Sequence, residues 1–317
     1  MSASLGPADR QVGLVGLWRC GGLSLRKLVV RAFEGYRVSQ LDARSAQFAY
    51  YSVLALAPLL IVIIAGVAHL PLEGVLESFL DAVDVGMPTN VVQLLERQVL
   101  DIQARTSVEL IVVGMLLLGL AGSRIFLTLG AGLDSAYGVR QARRFWKSSG
   151  VALVMTLAAF LLLLVSMIFL VVGPMLGDFI TQRVHAVPMD AQWIQILFSS
   201  GMRWGIACSF MLAATSIIYW LIPSLKIPWY LVSPGSLFAT AGWVAATQGF
   251  RVYVESFGRY NQTYGALGGV VVLMIWLYLT GALLLMGGQI NAVIHHAANE
   301  QQLKEPSLAP SDADQAK

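Results

Sequence analysis

Six polar side chains interrupt stretches that are otherwise apolar: Gln47, Tyr51, Arg124, Gln248, Gln289 and Asn291. Such groups are costly in hydrocarbon, so they are expected to face a bundle interior, a wet cavity or an interface. The chemistry open to them is binding and passage of a polar or anionic group. Arg124 is the charged member, and it has cheaper explanations: snorkelling to headgroups, or pairing with Asp134, the nearest acid in sequence.

Catalysis asks for a different set. A nuclease needs carboxylates or histidines gathered around a metal, or an acid–base pair beside a basic groove. The histidines are His69, His185, His295 and His296, with no metal-ligand spacing, and the adjacent pair points to different helix faces. Cys20 and Cys208 read as two unpaired thiols. There is no GxxxxGK[ST] phosphate loop, and no soluble segment large enough to hold RNA. No catalytic residue, metal, cofactor or nucleic-acid partner is expected.

The elements that would position the six are membrane spans. The chain has 317 residues, 57% hydrophobic and 12% charged. Soluble domains carry about 25% charged residues, so this chain lacks the charge to coat a water-facing surface. A helix rises about 1.5 Å per residue, and some 20 apolar residues cross a bilayer core. Such stretches predict an all-α, polytopic membrane protein with six transmembrane helices, at about 46–70, 108–129, 150–172, 202–222, 231–250 and 267–293. Residues 1–23 read as a flexible cytoplasmic N-terminus, 24–294 as the membrane domain, and 295–317 as a disordered cytoplasmic tail.

Between the spans lie shorter expectations. Leu25, Val29, Phe33 and Tyr36 recur at helical spacing among Arg26, Lys27, Arg31, Arg37 and Arg44, as in an interfacial amphipathic helix. Two more short amphipathic helices are expected within 71–107, broken near Gly86-Met87-Pro88, and the loop 134–149 offers Tyr137, Phe145 and Trp146 as interface anchors. Pro58 is expected to bend the first span and Pro234-Gly235 to kink the start of the fifth. Gly265 and Gly269 form a GxxxG pair, read mainly as a helix-packing face. With the N-terminus inside, 14 Lys and Arg fall on the cytoplasmic side against 6 outside, which favours two cytoplasmic termini.

Several segments together resemble the YihY/BrkB family of bacterial inner-membrane proteins, some of which long carried the label ribonuclease BN. The resemblance runs over roughly 28–293 and rests on Ala46-Gln-Phe-Ala-Tyr-Tyr-Ser-Val-Leu-Ala-Leu-Ala-Pro-Leu-Leu60, Ser123-Arg-Ile-Phe126, and the turn Ile222-Pro-Ser-Leu-Lys-Ile-Pro-Trp229 with Pro234-Gly235 after it. Its most specific part is Tyr264-Gly-Ala-Leu-Gly-Gly269 followed by Trp276-Leu-Tyr278. It implies a six-span inner-membrane protein; lipid and envelope transport, and resistance to host serum, are roles proposed for members. Where the family often has a glutamate near the end of the last span, this chain has Gln289, which weakens any scheme of proton coupling there.

The basic segment Arg26 to Arg44 and Arg124 suit an anionic lipid or lipid-linked molecule, moved across the membrane, with membrane lipids as partners. The alternative is a non-transporting scaffold, assembly or envelope-resistance factor. Ribonuclease activity is the least favoured reading.

Overall fold

The computed structural model describes residues 18, 20–68, 108–139, 143–184, 200–225, 227–257 and 261–304. The amphipathic pair expected within 71–107, most of the segment 1–23, and 305–317 lie outside them. A 3-10 turn, Cys20–Gly22, precedes seven helices: α1 Leu25–Val38, α2 Leu41–Ala68, α3 Val108–Ala136, α4 Phe145–Val184, α5 Ser200–Leu221, α6 Pro234–Phe257 and α7 Asn261–Lys304. Among the described residues, each segment expected to span holds one of these helices. Four, among the described residues, are long and apolar enough to cross outright: Leu41–Ala65, Glu109–Ala136, Phe145–Val165 and Gly268–Gln301. α5 carries a shorter apolar run, Cys208–Leu221. α6 is the most polar of the set, with Thr240, Thr247, Gln248 and Arg251 along it. The protein is an all-α polytopic membrane protein.

Four expectations are corrected. Helix α7 does not stop at Val293 but runs to Lys304, so 295–304 is ordered helix rather than disordered tail. α4 continues to Val184, into the connection expected at 173–200. α6 runs to Phe257 and α7 begins at Asn261, both within the connection expected at 251–263. Pro234 does not kink a helix; it is the first residue of α6. Proline suits that position because the first helical N–H has no partner within the helix and φ is already helical. Ser233 caps the helix: its Oγ accepts from Ser236 N at 3.1 Å, while Ser233 N donates to Ser236 Oγ at 2.9 Å. This is the reciprocal geometry of a capping box, with serine in place of the usual glutamate. Pro58 does lie inside α2, where it is buried.

The described residues fall into two compact units. The first comprises Met1–Ala46, Leu129–Arg143 and Met211–Lys317. Its axis is α7. Leu28 and Ala32 of α1 pack on Val293, Ile294 and Ala298, and Gly21 presses against the Ile294 carbonyl. Gly21 has φ +56°, and a Cβ there would stand 2.8 Å from that oxygen, so backbone shape and space both demand glycine. Arg31 and Glu300 also meet at 3.6 Å, but both are exposed. An exposed pair contributes about 0.2–1 kcal/mol, against about 1.5–3 for one fully buried aliphatic side chain. The apolar seam holds α1 in place.

This seam adds a second face to α1, which the helical spacing of Leu25, Val29 and Phe33 did not show. The buried stripe is Leu28 and Ala32, whereas Leu25, Val29 and Phe33 are exposed beside Arg26, Lys27, Arg31 and Arg37. α1 thus has two apolar stripes, one for α7 and one left outward with the cations.

α6 lies along α7 where side chains are smallest. A Cβ on Gly235 would collide with the Gly287 carbonyl, and one on Gly287 with the Tyr219 hydroxyl and the Gly235 carbonyl. Further along, Trp243 and Trp276 meet edge to face, 6.0 Å between centroids. Close backbone approach of this kind is the usual currency of helix association in membranes, where lipid competes equally for apolar surface. Gly269 shows the opposite. Nothing stands within 4 Å of its Cβ position, and the surroundings of Gly265 lie outside the description. At the α6–α7 crossing the close approach is made at Gly235 and Gly287.

The second unit comprises Gln47–Thr128 and Arg144–Phe210. Gly114 of α3 receives Val62 and Ile61 of α2 a turn beyond Pro58, and Gly122 receives Thr156 of α4. The opposite side of α3 is exposed at Val112, Val113, Leu116, Leu117 and Leu120, as a lipid-facing surface should be.

Candidate functional site

A small pocket lies in the first unit and is built by three local devices. The first is the end of α3. Gly138 has φ +65°; Val139 N donates to the Asp134 carbonyl at 2.9 Å and Gly138 N to the Ser135 carbonyl at 3.1 Å. This Schellman turn stops the helix and swings Tyr137 inward to 4% exposure. Tyr137 was expected to anchor at the membrane surface, but only Phe145 and Trp146, 64% and 83% exposed, are placed to do so.

The second device is the turn between α5 and α6. The Asp134 carboxylate accepts from Ser224 N and Ser224 Oγ, each at 2.6 Å. Arg143 donates from its guanidinium to the Leu221 carbonyl at 3.0 Å and from its backbone N to Ser224 Oγ at 3.1 Å. Asp134 is therefore engaged by Ser224 and not by Arg124. Asp134→Ala is expected to cost about 2 kcal/mol, since it removes two bonds to a charged acceptor. A lower thermal midpoint in detergent and faster proteolysis near Ser224 would show it; an unchanged midpoint would remove the carboxylate from this role.

The third device is Asn291 on α7. Its Oδ1 accepts from Gly235 N and its Nδ2 donates to Ser233 Oγ, both at 2.9 Å. One turn further along α7 lies His295, 6% exposed, edge-on to the Tyr137 ring at 5.9 Å.

Together these leave a small cavity lined by Tyr137, Ser216, Tyr219, Tyr230, Asn291 and His295, with Trp220, Ile227, Pro228 and Ser233 completing it. The enclosed room is about 30 Å³, enough for one or two water molecules. Burial, and the neighbouring Tyr230, push the Tyr137 hydroxyl well above the ordinary phenol range, so it is protonated at neutral pH.

The residues singled out from the sequence are dispersed. Asn291 lines this cavity. Gln289, 4% exposed, has its amide nitrogen against Gly35 and its Oε1 without a hydrogen bond. Gln248 is exposed on α6. Gln47, Tyr51 and Arg124 belong to the other unit. There Gln47 and Arg124 are exposed and Tyr51 is half-buried, edge-on to Tyr50 at 5.3 Å. Tyr137, Tyr219 and His295 were not read as site residues. The one available signal was Tyr137-Gly138 after a helical run, a helix stop that turns its last side chain inward. Among the described residues no group of three His, Cys, Asp or Glu is placed to hold a metal.

The model of the family described as virulence factor BrkB matches residues 32–312. The chain belongs to the BrkB family. Among BrkB-like relatives, a ribonuclease-like protein of Bacillus subtilis (strain 168), YfkH, is 30% identical over 264 residues, covering 83% of this chain and 93% of that protein. A UPF0761 membrane protein of Tolumonas auensis is 25% identical over 278 residues, covering 85% and 86%. Another, from Alkalilimnicola ehrlichii, is 26% identical over 272 residues, covering 82% of this chain and 56% of its own length. No solved structure matches. The BrkB match takes in α2 to α7 whole and the second half of α1.

Proposed function

We propose that the protein translocates an envelope amphiphile, an anionic lipid or lipid-linked molecule, across the bacterial inner (plasma) membrane, with both termini cytoplasmic. One observation carries the reading. The membrane-crossing stretch of α3 extends to Ala136, seven residues past the end expected from sequence. Arg124 then lies about 18 Å from its inner end and about 22 Å from its outer end. That is near mid-membrane, too deep for snorkelling to be cheap. Its side chain is exposed and, among the described residues, makes no ion pair. A charge there costs about 2.5–3.5 kcal/mol on insertion scales. An anionic headgroup passing that face would offset the cost. The outward stripe of α1, with Leu25, Val29 and Phe33 beside Arg26, Lys27, Arg31 and Arg37, supports the same reading as a collector of anionic lipid at the membrane surface.

The test is reconstitution with fluorescent anionic lipid. Protein vesicles are expected to move the probe between leaflets faster than empty vesicles. Arg124→Ala should slow this about tenfold, the equivalent of roughly 1.4 kcal/mol, and Arg124→Lys by less. Equal rates in protein and empty vesicles would sink the proposal, and a stable protein partner recovered by crosslinking would then favour the scaffold.

A further inference from the structure

Arg143 is held at the membrane end of α5 with most of its donors uncommitted. The apolar run of that helix closes at Leu221, where the chain turns toward α6. There the Arg143 guanidinium donates from Nη1 to the Leu221 carbonyl, and its backbone N donates to Ser224 Oγ. A guanidinium carries five N–H donors. Capping the end of α5 takes one of them and leaves the rest of the fork.

The acid of the same network is already engaged. Both Asp134 oxygens accept from Ser224, and among the described residues Arg143 makes no ion pair. The side chain is half-buried, so its charge stays within reach of the surface. Its position is set before any ligand arrives, which lowers the cost of ordering it on binding.

The surroundings say what such a fork would meet. Trp220, one residue before the capped carbonyl, is 43% exposed, and its ring stands 6.2 Å from that of Trp229, 55% exposed. Tryptophans at the end of an apolar run sit at headgroup level. A planar guanidinium matches the paired oxygens of a phosphate better than the point charge of a lysine does. Free phosphate would use the arginine alone, whereas a phospholipid would use the arginine and both rings. A zwitterionic headgroup would bring its ammonium toward Arg143, while the one nearby carboxylate, Asp134, is occupied.

We propose that Arg143, Trp220 and Trp229 form a binding site for an anionic glycerophospholipid, the fork on its phosphate and the rings against its glycerol and upper acyl carbons. The site goes beyond the translocation reading, since holding a lipid at one face does not require moving it.

The experiment is calorimetric titration of the detergent-purified full chain. The probes are short-chain phosphatidylglycerol, phosphatidylcholine with the same acyl chains, and inorganic phosphate. Phosphatidylglycerol is expected to bind at least tenfold more tightly than either of the others. Arg143→Gln keeps an N–H for the Leu221 carbonyl and removes the charge and the fork; it should erase the preference while the ligand-free thermal midpoint holds. Arg143→Lys should keep only part of the preference, and Trp229→Ala should weaken both lipids alike. An unchanged preference in Arg143→Gln overturns the proposal and leaves Arg143 as a helix cap alone, whether or not the midpoint falls. Inorganic phosphate binding as tightly as phosphatidylglycerol overturns it in favour of a free anion. Transport is scored separately in vesicles. Arg143-dependent binding without lipid movement would sink translocation and leave this site standing, and movement without such binding would do the reverse.

Discussion

Gly287→Leu is expected to prevent recovery of monodisperse protein in detergent, while Gly269→Leu is recovered like the wild type. At Gly287 the added Cβ alone would meet the Tyr219 hydroxyl, the Gly235 carbonyl and, at 3.1 Å, the Ala239 Cβ. Two of these neighbours cannot yield cheaply, since one is backbone and the other is a hydroxyl fixed by its bond to Leu284. Overpacking usually costs about 1–3 kcal/mol and more where backbone must move. A leucine here separates α6 from α7 and takes the top of that range or beyond. At Gly269 the space is open. Size-exclusion profiles and thermal midpoints of the two variants decide the matter. Equal behaviour would mean that the α6–α7 crossing is not the stabilising contact.

Asn291→Leu is expected to lower stability by about 3 kcal/mol, and Gln289→Leu to leave it unchanged or raise it. The residues are two apart on α7 and equally buried, yet their accounts differ. Removing Asn291 strands the Gly235 N–H and deprives Ser233 of a partner. An orphaned buried group costs about 1–3 kcal/mol. Gln289 already leaves its Oε1 unpaired, so an apolar residue of similar length removes a penalty. Thermal unfolding in lipid-like detergent measures both. Comparable losses at the two positions would show that burial alone, not the hydrogen bonds, sets the cost.

The sequence showed the helices well and their contacts poorly. Leu267 to Met286 reads as a span because twenty apolar residues have one sensible destination. The end of α7 was illegible for a physical reason. His295, His296, Asn299 and Glu300 look like a solvated tail until α1 covers the face carrying Ile294, Ala297 and Ala298. Local composition cannot report a partner some 270 residues away. Gly269 has open space beside it, since small residues permit close approach but do not say which helix takes it. Pro234 carried its meaning in the neighbours: Ser233 before it and Ser236 after it spell a helix start. Among the polar residues, Asn291 was placed at a real cavity. Tyr137, which lines that cavity, comes from a turn whose inward swing only the Schellman bonds reveal.

The seat of Gly21 on Ile294, and of Leu28 and Ala32 beside it, has a consequence in time. Ribosomes add about 5–20 residues per second, so this N-terminal segment waits roughly 15–50 s for the helix it must dock on. Until then α1 shows the nascent chain's surroundings both of its apolar stripes. The bilayer surface is the natural place for it to wait, and its cations hold it there. Assembly would end with α1 leaving the lipid on one side and closing over α7.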